Sequence, residues 1–239
     1  MEQVAPRIWR VGSTLVNSYV VEDGTSIVLV DGGLPAYWDD LLAGLQSIGR
    51  SFDDVRDVLL THGHDDHVGY AERARRSGST VQVHELDAAL ARGEVPNRVD
   101  IWGPKRPLPI LGFLAFAVRR GYLRVPKLSQ VVTFGDGATL DVPGAPRVVH
   151  VPGHTPGSAA LHFPGHDAVF AGDALNTYAV TSGRAGPQLS PFNVDRAGAL
   201  VSLGRLEAIA ATYVLPGHGG PWSGGVYEAV ALARAAATG

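Results

Sequence analysis

The chain has 239 residues, enough for one large domain or two small ones with a real core. Apolar residues make up 45% and charged residues 18%, which excludes a disordered chain, and a net charge of −3 gives no sign of a nucleic-acid partner. Cysteine is absent, so disulfides and thiolate metal sites are excluded and any metal must be held by His, Asp or Glu.

The first residues, "MEQVAPRIWRVG", carry no basic segment followed by an apolar stretch, so no secretory leader is expected. No run approaches the roughly 20 apolar residues of a membrane span, and the chain is expected to be cytoplasmic. "SYVVEDGTSIVLVDGG" reads as two strands joined at Asp23-Gly24. "AYWDDLLAGLQSIG" has helical apolar spacing and ends at Gly49. "VRDVLLTH" reads as a buried strand, "DHVGYAERARRSG" as one helix, "TVQVHE" as a strand and "LDAALARG" as a short helix.

Residues 98–127 then break the pattern. Seven basic residues (Arg98, Lys105, Arg106, Arg119, Arg120, Arg124 and Lys127) stand against Asp100 alone. The segment carries +6, so the remainder carries −9 of the −3 total. Its apolar run, Leu108 to Val118, is too short to span a bilayer. The expectation is an insertion at about 96–128 that forms a lid. Leu111, Phe113, Leu114 and Phe116 would be buried under it, and Arg119, Arg120 or Arg124 would meet an anionic group. A helical hairpin packed only for stability, a homodimer contact and a membrane-surface contact are the alternatives.

Beyond it, "QVVTFGDGATLDV" reads as a hairpin, and "RVVHVPG", "SAALHF" and "AVFAGD" as three short strands. "DRAGALVSLGRLEAI" reads as a helix, "TYVLPGHGG" as a strand and loop, and "GVYEAVALARAAA" as a closing helix. Strands followed by helices recur in two halves, which outer helices on two packed sheets would satisfy.

Five of the nine histidines sit in loops just past apolar strands: His62, His64 and His67 after "VLL", His154 after "VVHVPG" and His218 after "VLPG". Asp31 and Asp173 follow "IVLV" and "VFAG" in the same way. Loops at strand ends are where a rigid scaffold carries function. His84, His150, His162 and His166 lie within strands or a turn and are expected to be satisfied or exposed. Neutral imidazole and carboxylate suit zinc, and His-x-His-x-Asp-His can face two neighbouring ions.

The run "THGHDDH", then "PGHTPGS", "AGDAL" and "LPGHG", resembles the metallo-β-lactamase superfamily over almost the whole chain. The resemblance implies an α/β fold, a four-layer αβ/βα sandwich in one domain over residues 1–239. It implies two Zn2+, with Mn2+ or Fe2+ as substitutes on the same N/O ligands. His62, His64 and His154 would hold the first ion, Asp66, His67 and His218 the second, and Asp173 would bridge both. Asp65 would be left free. Asp31, matching the family's first acid, would hydrogen-bond behind the ligand loops.

Such a centre, with ions about 3.5–4 Å apart, implies a hydrolase in which a metal-bridging hydroxide attacks a carbonyl. Asp66 and Asp173 would be its catalytic carboxylates. True β-lactamases of this fold usually carry Cys or Ser where Asp173 stands, so β-lactam hydrolysis would be weak. Glyoxalase II-like thioesterases add a C-terminal helical region, whereas this chain runs only 21 residues past His218. Lactonases of the fold usually place Tyr three residues after the bridging Asp; here Asn176 stands there and Tyr178 two further on. The expected substrate is a small lactone, ester or thioester, contacted by Tyr178, Asn176, Phe113, Phe116, Arg119 and Arg120. A small phosphodiester is the alternative, and a non-enzymatic metal-binding module the third reading.

Overall fold

A computed structural model of the chain describes residues 1–238. The first half opens with an antiparallel meander of β1 (Glu2–Ala5), β2 (Ile8–Ser13), β3 (Val16–Asp23) and β4 (Ser26–Val30). α1 (Tyr37–Ser47) crosses to β5 (Val55–Leu59), and α2 (Asp65–Val68) and α3 (Ala71–Arg76) lead to β6 (Thr80–His84). α4 (Ala88–Ala91), the short β7 (Asp100–Ile101) and α5 (Pro107–Arg119) precede β8 (Val132–Phe134). The second half runs β9 (Arg147–His150), β10 (Ala159–Phe163), β11 (Ala168–Gly172), β12 (Asn176–Tyr178), β13 (Ala185–Gln188) and β14 (Phe192–Asn193). α6 (Arg196–Glu207), β15 (Tyr213–Pro216) and α7 (Val226–Thr238) follow.

One sheet has the order β1-β2-β3-β4-β5-β6-β8 and becomes parallel from β4 onward. The other has the order β15-β11-β10-β9. Side chains alternate between the faces of a strand, so a strand buried on both sides is apolar throughout. In β4, Ile27 and Leu29 pack toward α1 and α3, while Val28 and Val30 pack toward the other sheet. In β11, Phe170 faces the first sheet and Val169 and Ala171 face α6 and α7. Three apolar layers therefore separate four layers of structure, helices outside and sheets within. Burying Tyr19, Phe163 and Phe170 between the sheets contributes roughly 1.5–3 kcal/mol each. The expected αβ/βα sandwich is the observed one.

Three local expectations need correction. The single helix over residues 66–78 is two, broken at Gly69 and Tyr70. Both amides leave the helical pattern and donate to the loop after β4, Gly69 to Gly33 O at 2.9 Å and Tyr70 to Gly32 O at 3.0 Å. The hairpin over residues 130–142 is also absent. β8 pairs in parallel with β6, and the chain then crosses to the second sheet, where Val148 donates to Ala138 O at 2.8 Å. Gly135, Asp136 and Gly137 make the crossing, not a hairpin turn. Last, the 96–128 insertion holds the short β7, a single helix, α5, and a 3-10 turn at Tyr122–Arg124, in place of the helical hairpin named as an alternative. Pro107 starts α5, where its missing N–H costs nothing.

The insertion is pinned beside the ends of the strands. β7 pairs with β14, Trp102 donates to Pro191 O at 2.7 Å and Arg106 to Thr181 O at 2.8 Å. Among the described residues no helix is long and apolar enough to cross a membrane.

Candidate metal centre

The seven side chains named from the sequence meet at one end of the sandwich. His62 and His64 follow β5, and α2 carries Asp66 and His67. His154 follows β9, Asp173 follows β11 at once, and His218 follows β15. All but Asp66 are buried, and Asp66 is half-buried. Buried polar atoms need partners, so the distances between them are informative.

His154 Nε2 lies 3.1 Å from His62 Nε2 and 2.9 Å from His64 Nδ1. Three ring nitrogens thus converge on one point. A second group forms from Asp66, His67 and His218, with His218 Nε2 3.6 Å from Asp66 Oδ2. Asp173 stands between the groups. Its Oδ2 is 3.3 Å from His218 Nε2 and 3.6 Å from His154 Nε2, and its Oδ1 is 3.6 Å from His67 Nε2. Both His67 Nε2 and Asp173 Oδ1 are buried without a hydrogen-bond partner. Converging nitrogen lone pairs and orphaned buried atoms fit divalent cations, which five imidazoles and two carboxylates can ligate.

Burial drives the imidazoliums of His62 and His64 well below their usual range, and neighbouring histidines push the same way. Burial also lowers His154, although Asp173 opposes it. These three rings are held neutral, as ligation requires. At His67 burial again disfavours the charged form, but Asp31, Asp66 and Asp173 outweigh it and lift the ring to about 10. Burial alone would raise Asp173; the charges of His218, His154 and His67 instead hold its carboxyl well below the usual range.

The outer nitrogens of His67, His154 and His218 are fixed, which orients the inner ones. His67 Nδ1 donates to Asp31 Oδ2 at 2.9 Å. His154 Nδ1 donates to Phe192 O, and His218 Nδ1 to Leu15 O. Asp31 also accepts from Thr61 N at 2.8 Å and from Thr61 Oγ1 at 2.9 Å. Its backbone is left-handed, φ 62°, a conformation that side-chain-bearing residues adopt rarely and that tertiary contacts must hold. Ser18 and Tyr70 supply them by donating to Asp31 O at 3.0 and 3.1 Å. Gly217 allows the closest approach, because a Cβ there would sit 2.2 Å from Asp173 Oδ1.

Sequence reasoning missed Asp87. Its carboxylate, fully buried, accepts from Gly63 N at 2.9 Å, Thr155 Oγ1 at 2.7 Å and Gly157 N at 2.7 Å. It thereby ties the loop of His62 and His64 to the loop of His154. The signal was a lone acid after "VHEL", with nothing to link it to residues 63 or 157.

A cavity of about 100 Å³ opens over the centre, lined by His64, Asp66, His154, Asp173 and His218 on one side. Phe113 and Tyr122 of the insertion, with Asn97, Val99 and Phe192, close the other. The Phe113 ring stands edge-on to His218, centroids 6.0 Å apart. Other expected substrate contacts lie elsewhere. Asn176 is buried beneath the centre, where its Oδ1 accepts from His218 N at 3.1 Å. Tyr178 sits in the β12–β13 pair, outside the cavity lining. Phe116 packs on the first apolar layer, and Arg120 turns away to Asp40 at 2.9 Å and over the Tyr37 ring. Arg119 is exposed, and so are Leu111 and Leu114, which were expected to be buried. His84 and His150 stack on each other at 4.3 Å, outside the centre.

The di-iron-bound form of TTHA1623 is similar to this chain, with a TM-score of 0.61 and 29% identity over 90% of this chain and 93% of that one. An uncharacterized protein of Bacillus subtilis is 29% identical over 67% of this chain and 62% of its own length. A hydroxyacylglutathione hydrolase of Fuscovulum blasticum is 28% identical over 69% of this chain, but the match spans only 48% of that relative. The family model described as metallo-beta-lactamase superfamily matches residues 11–218. With that match across most of the chain, the chain belongs to the metallo-beta-lactamase superfamily.

Proposed function

We propose that the chain is a binuclear metal-dependent hydrolase acting on a small ester, thioester or lactone. One observation carries this reading: the Asp173 carboxylate reaches both ligand groups, one oxygen toward His67 and the other toward His154 and His218. Two divalent cations, zinc by the chemistry of the donors with iron as competitor, would supply the charge that polarises a carbonyl and acidifies water. His62, His64 and His154 would hold one, Asp66, His67 and His218 the other, and Asp173 both.

The chain's own groups account for the rest. Phe113 and Tyr122 cover the centre and keep bulk water from it. Asp66, the most exposed of the ligand side chains, lines the cavity and is placed to pass a proton to the leaving oxygen or sulfur. A cavity of about 100 Å³ lined by aromatic rings suits a small acyl group and leaves no room for a polymer. The relative named for hydroxyacylglutathione hydrolysis supports the thioester class, without its own substrate being carried over.

The test is a panel of lactones, thioesters, aryl esters, phosphodiesters and β-lactams with the zinc-, manganese- and iron-loaded protein. Turnover of an acyl substrate that disappears on chelation and returns with metal is expected. Turnover of phosphodiesters alone, or of nothing, would overturn the reading.

A further inference from the structure

α5 is apolar on both of its faces, and only one of them is covered. Phe113 and Ala117 turn inward, Phe113 toward His218. Leu108, Leu111, Leu114 and Val118 recur at helical spacing on the outer face. Leu108 is 83% exposed, Leu111 61%, and Leu123 of the following turn 75%. An apolar stripe of this kind on a monomer marks a contact surface.

Charge identifies what it contacts. Lys105 and Arg106 stand just before the helix, Arg119 ends it and Arg124 lies in the turn beyond, and all four are exposed. Among the described residues none of them pairs with a carboxylate. The chain holds no acidic residue between Asp100 and Asp136. An apolar stripe about 15 Å long with cations at both ends is the pattern of a helix lying in a lipid interface. A twofold contact with a second copy would set the same cations against one another, a like-charge juxtaposition that disfavours pairing. We propose that α5 docks this protein onto an anionic lipid surface, with Leu108, Leu111, Leu114 and Val118 among the headgroups and Lys105, Arg106, Arg119 and Arg124 on lipid phosphates and carboxylates. Docking does not depend on the reaction at the centre. The docked helix is nevertheless the roof of the cavity, through Phe113.

The test is sedimentation of the full-length protein with vesicles of phosphatidylcholine alone and with about one third phosphatidylserine. Binding to the anionic vesicles, at least tenfold weaker on neutral ones and weakened by salt, is expected. Leu108→Asp with Leu111→Asp should abolish it, and Arg119→Glu with Arg124→Glu should reduce it at least tenfold. These side chains are exposed, so circular dichroism and metal content should match the wild type. Val201→Asp, an equally exposed apolar position on α6, should bind as wild type does. Equal binding by the Leu108/Leu111 variant overturns the proposal. So does a dimer in sedimentation velocity that this variant dissolves, with no vesicle binding by the wild type, because the face then belongs to a second copy.

Discussion

Replacing Asp87 tests whether the ligand loops are held from behind. Its carboxylate is the acceptor for two buried amides, Gly63 and Gly157, and for the Thr155 hydroxyl. In Asp87→Ala the hydroxyl can turn wholly to Ser158 Oγ, 2.7 Å away, but the two amides have no substitute. Each orphaned buried donor costs about 1–3 kcal/mol, so the loss is about 2–6 kcal/mol, its upper end trimmed by relief of the carboxylate's own desolvation. That is a large part of the roughly 5–15 kcal/mol that keeps a domain folded. Asp87→Asn keeps the volume and one oxygen. With that oxygen toward Gly63 and Thr155, only the Gly157 amide is orphaned, and about 1–3 kcal/mol is lost. Urea unfolding of the metal-loaded proteins gives both numbers, and metal retained after dialysis shows whether the loops stay in register. Stability within about 1 kcal/mol of wild type for Asp87→Ala, with unchanged metal retention, would refute the reasoning.

Dialysed wild-type protein should hold close to two divalent ions per chain by atomic emission. His62→Ala and His154→Ala should lose the ion of the first group, and His218→Ala should weaken the second; full activity without any transition metal would sink the ligand reading. Asp173→Ala should lower activity about 100-fold or more relative to Asp53→Ala, an exposed acid remote from the centre, and equal rates at saturating metal would show the bridging role to be wrong. Glu72 accepts from Arg75, Arg76 and Ser129, and these bonds, Arg75's foremost, hold its carboxyl at about 2 against an ordinary 4.5. Its contribution is therefore complete above pH 4.5 and lost as pH falls toward 2. The stability gap between wild type and Glu72→Gln should narrow over that window in denaturant titrations, and a gap independent of pH would contradict the assignment.

The layers of the sandwich were legible because β4, β10 and β11 are almost wholly apolar, as doubly covered strands are. The candidate ligands were legible because they lie in the segments that follow strand ends. β1 and β2 were not, because the turn between them is Pro6-Arg7, with Arg7 at φ 60°, and no glycine or asparagine marks it. The break at Gly69 depends on carbonyls of Gly32 and Gly33, more than thirty residues away, and local periodicity cannot sense them. Asn176 and Arg120 lie outside the cavity lining for a similar reason. Their partners, the His218 amide and Asp40, are distant in the chain and claim them first.

The seven candidate ligand side chains divide between the sheets. His62, His64, Asp66 and His67 extend from the first, and His154, Asp173 and His218 from the second. Neither half can complete a site, so a bound ion is a rivet through the seam of the sandwich. Cation at 100 times its dissociation constant would add about 2.7 kcal/mol against unfolding, and the addition vanishes when a chelator takes the ion. Scarcity of metal therefore reaches this protein as a threat to its lifetime as well as to its turnover. A chain newly made in a metal-poor cell would be caught with its two halves joined only by apolar contact and the hydrogen bonds across the seam, such as those of Asp87, a state more open to proteases.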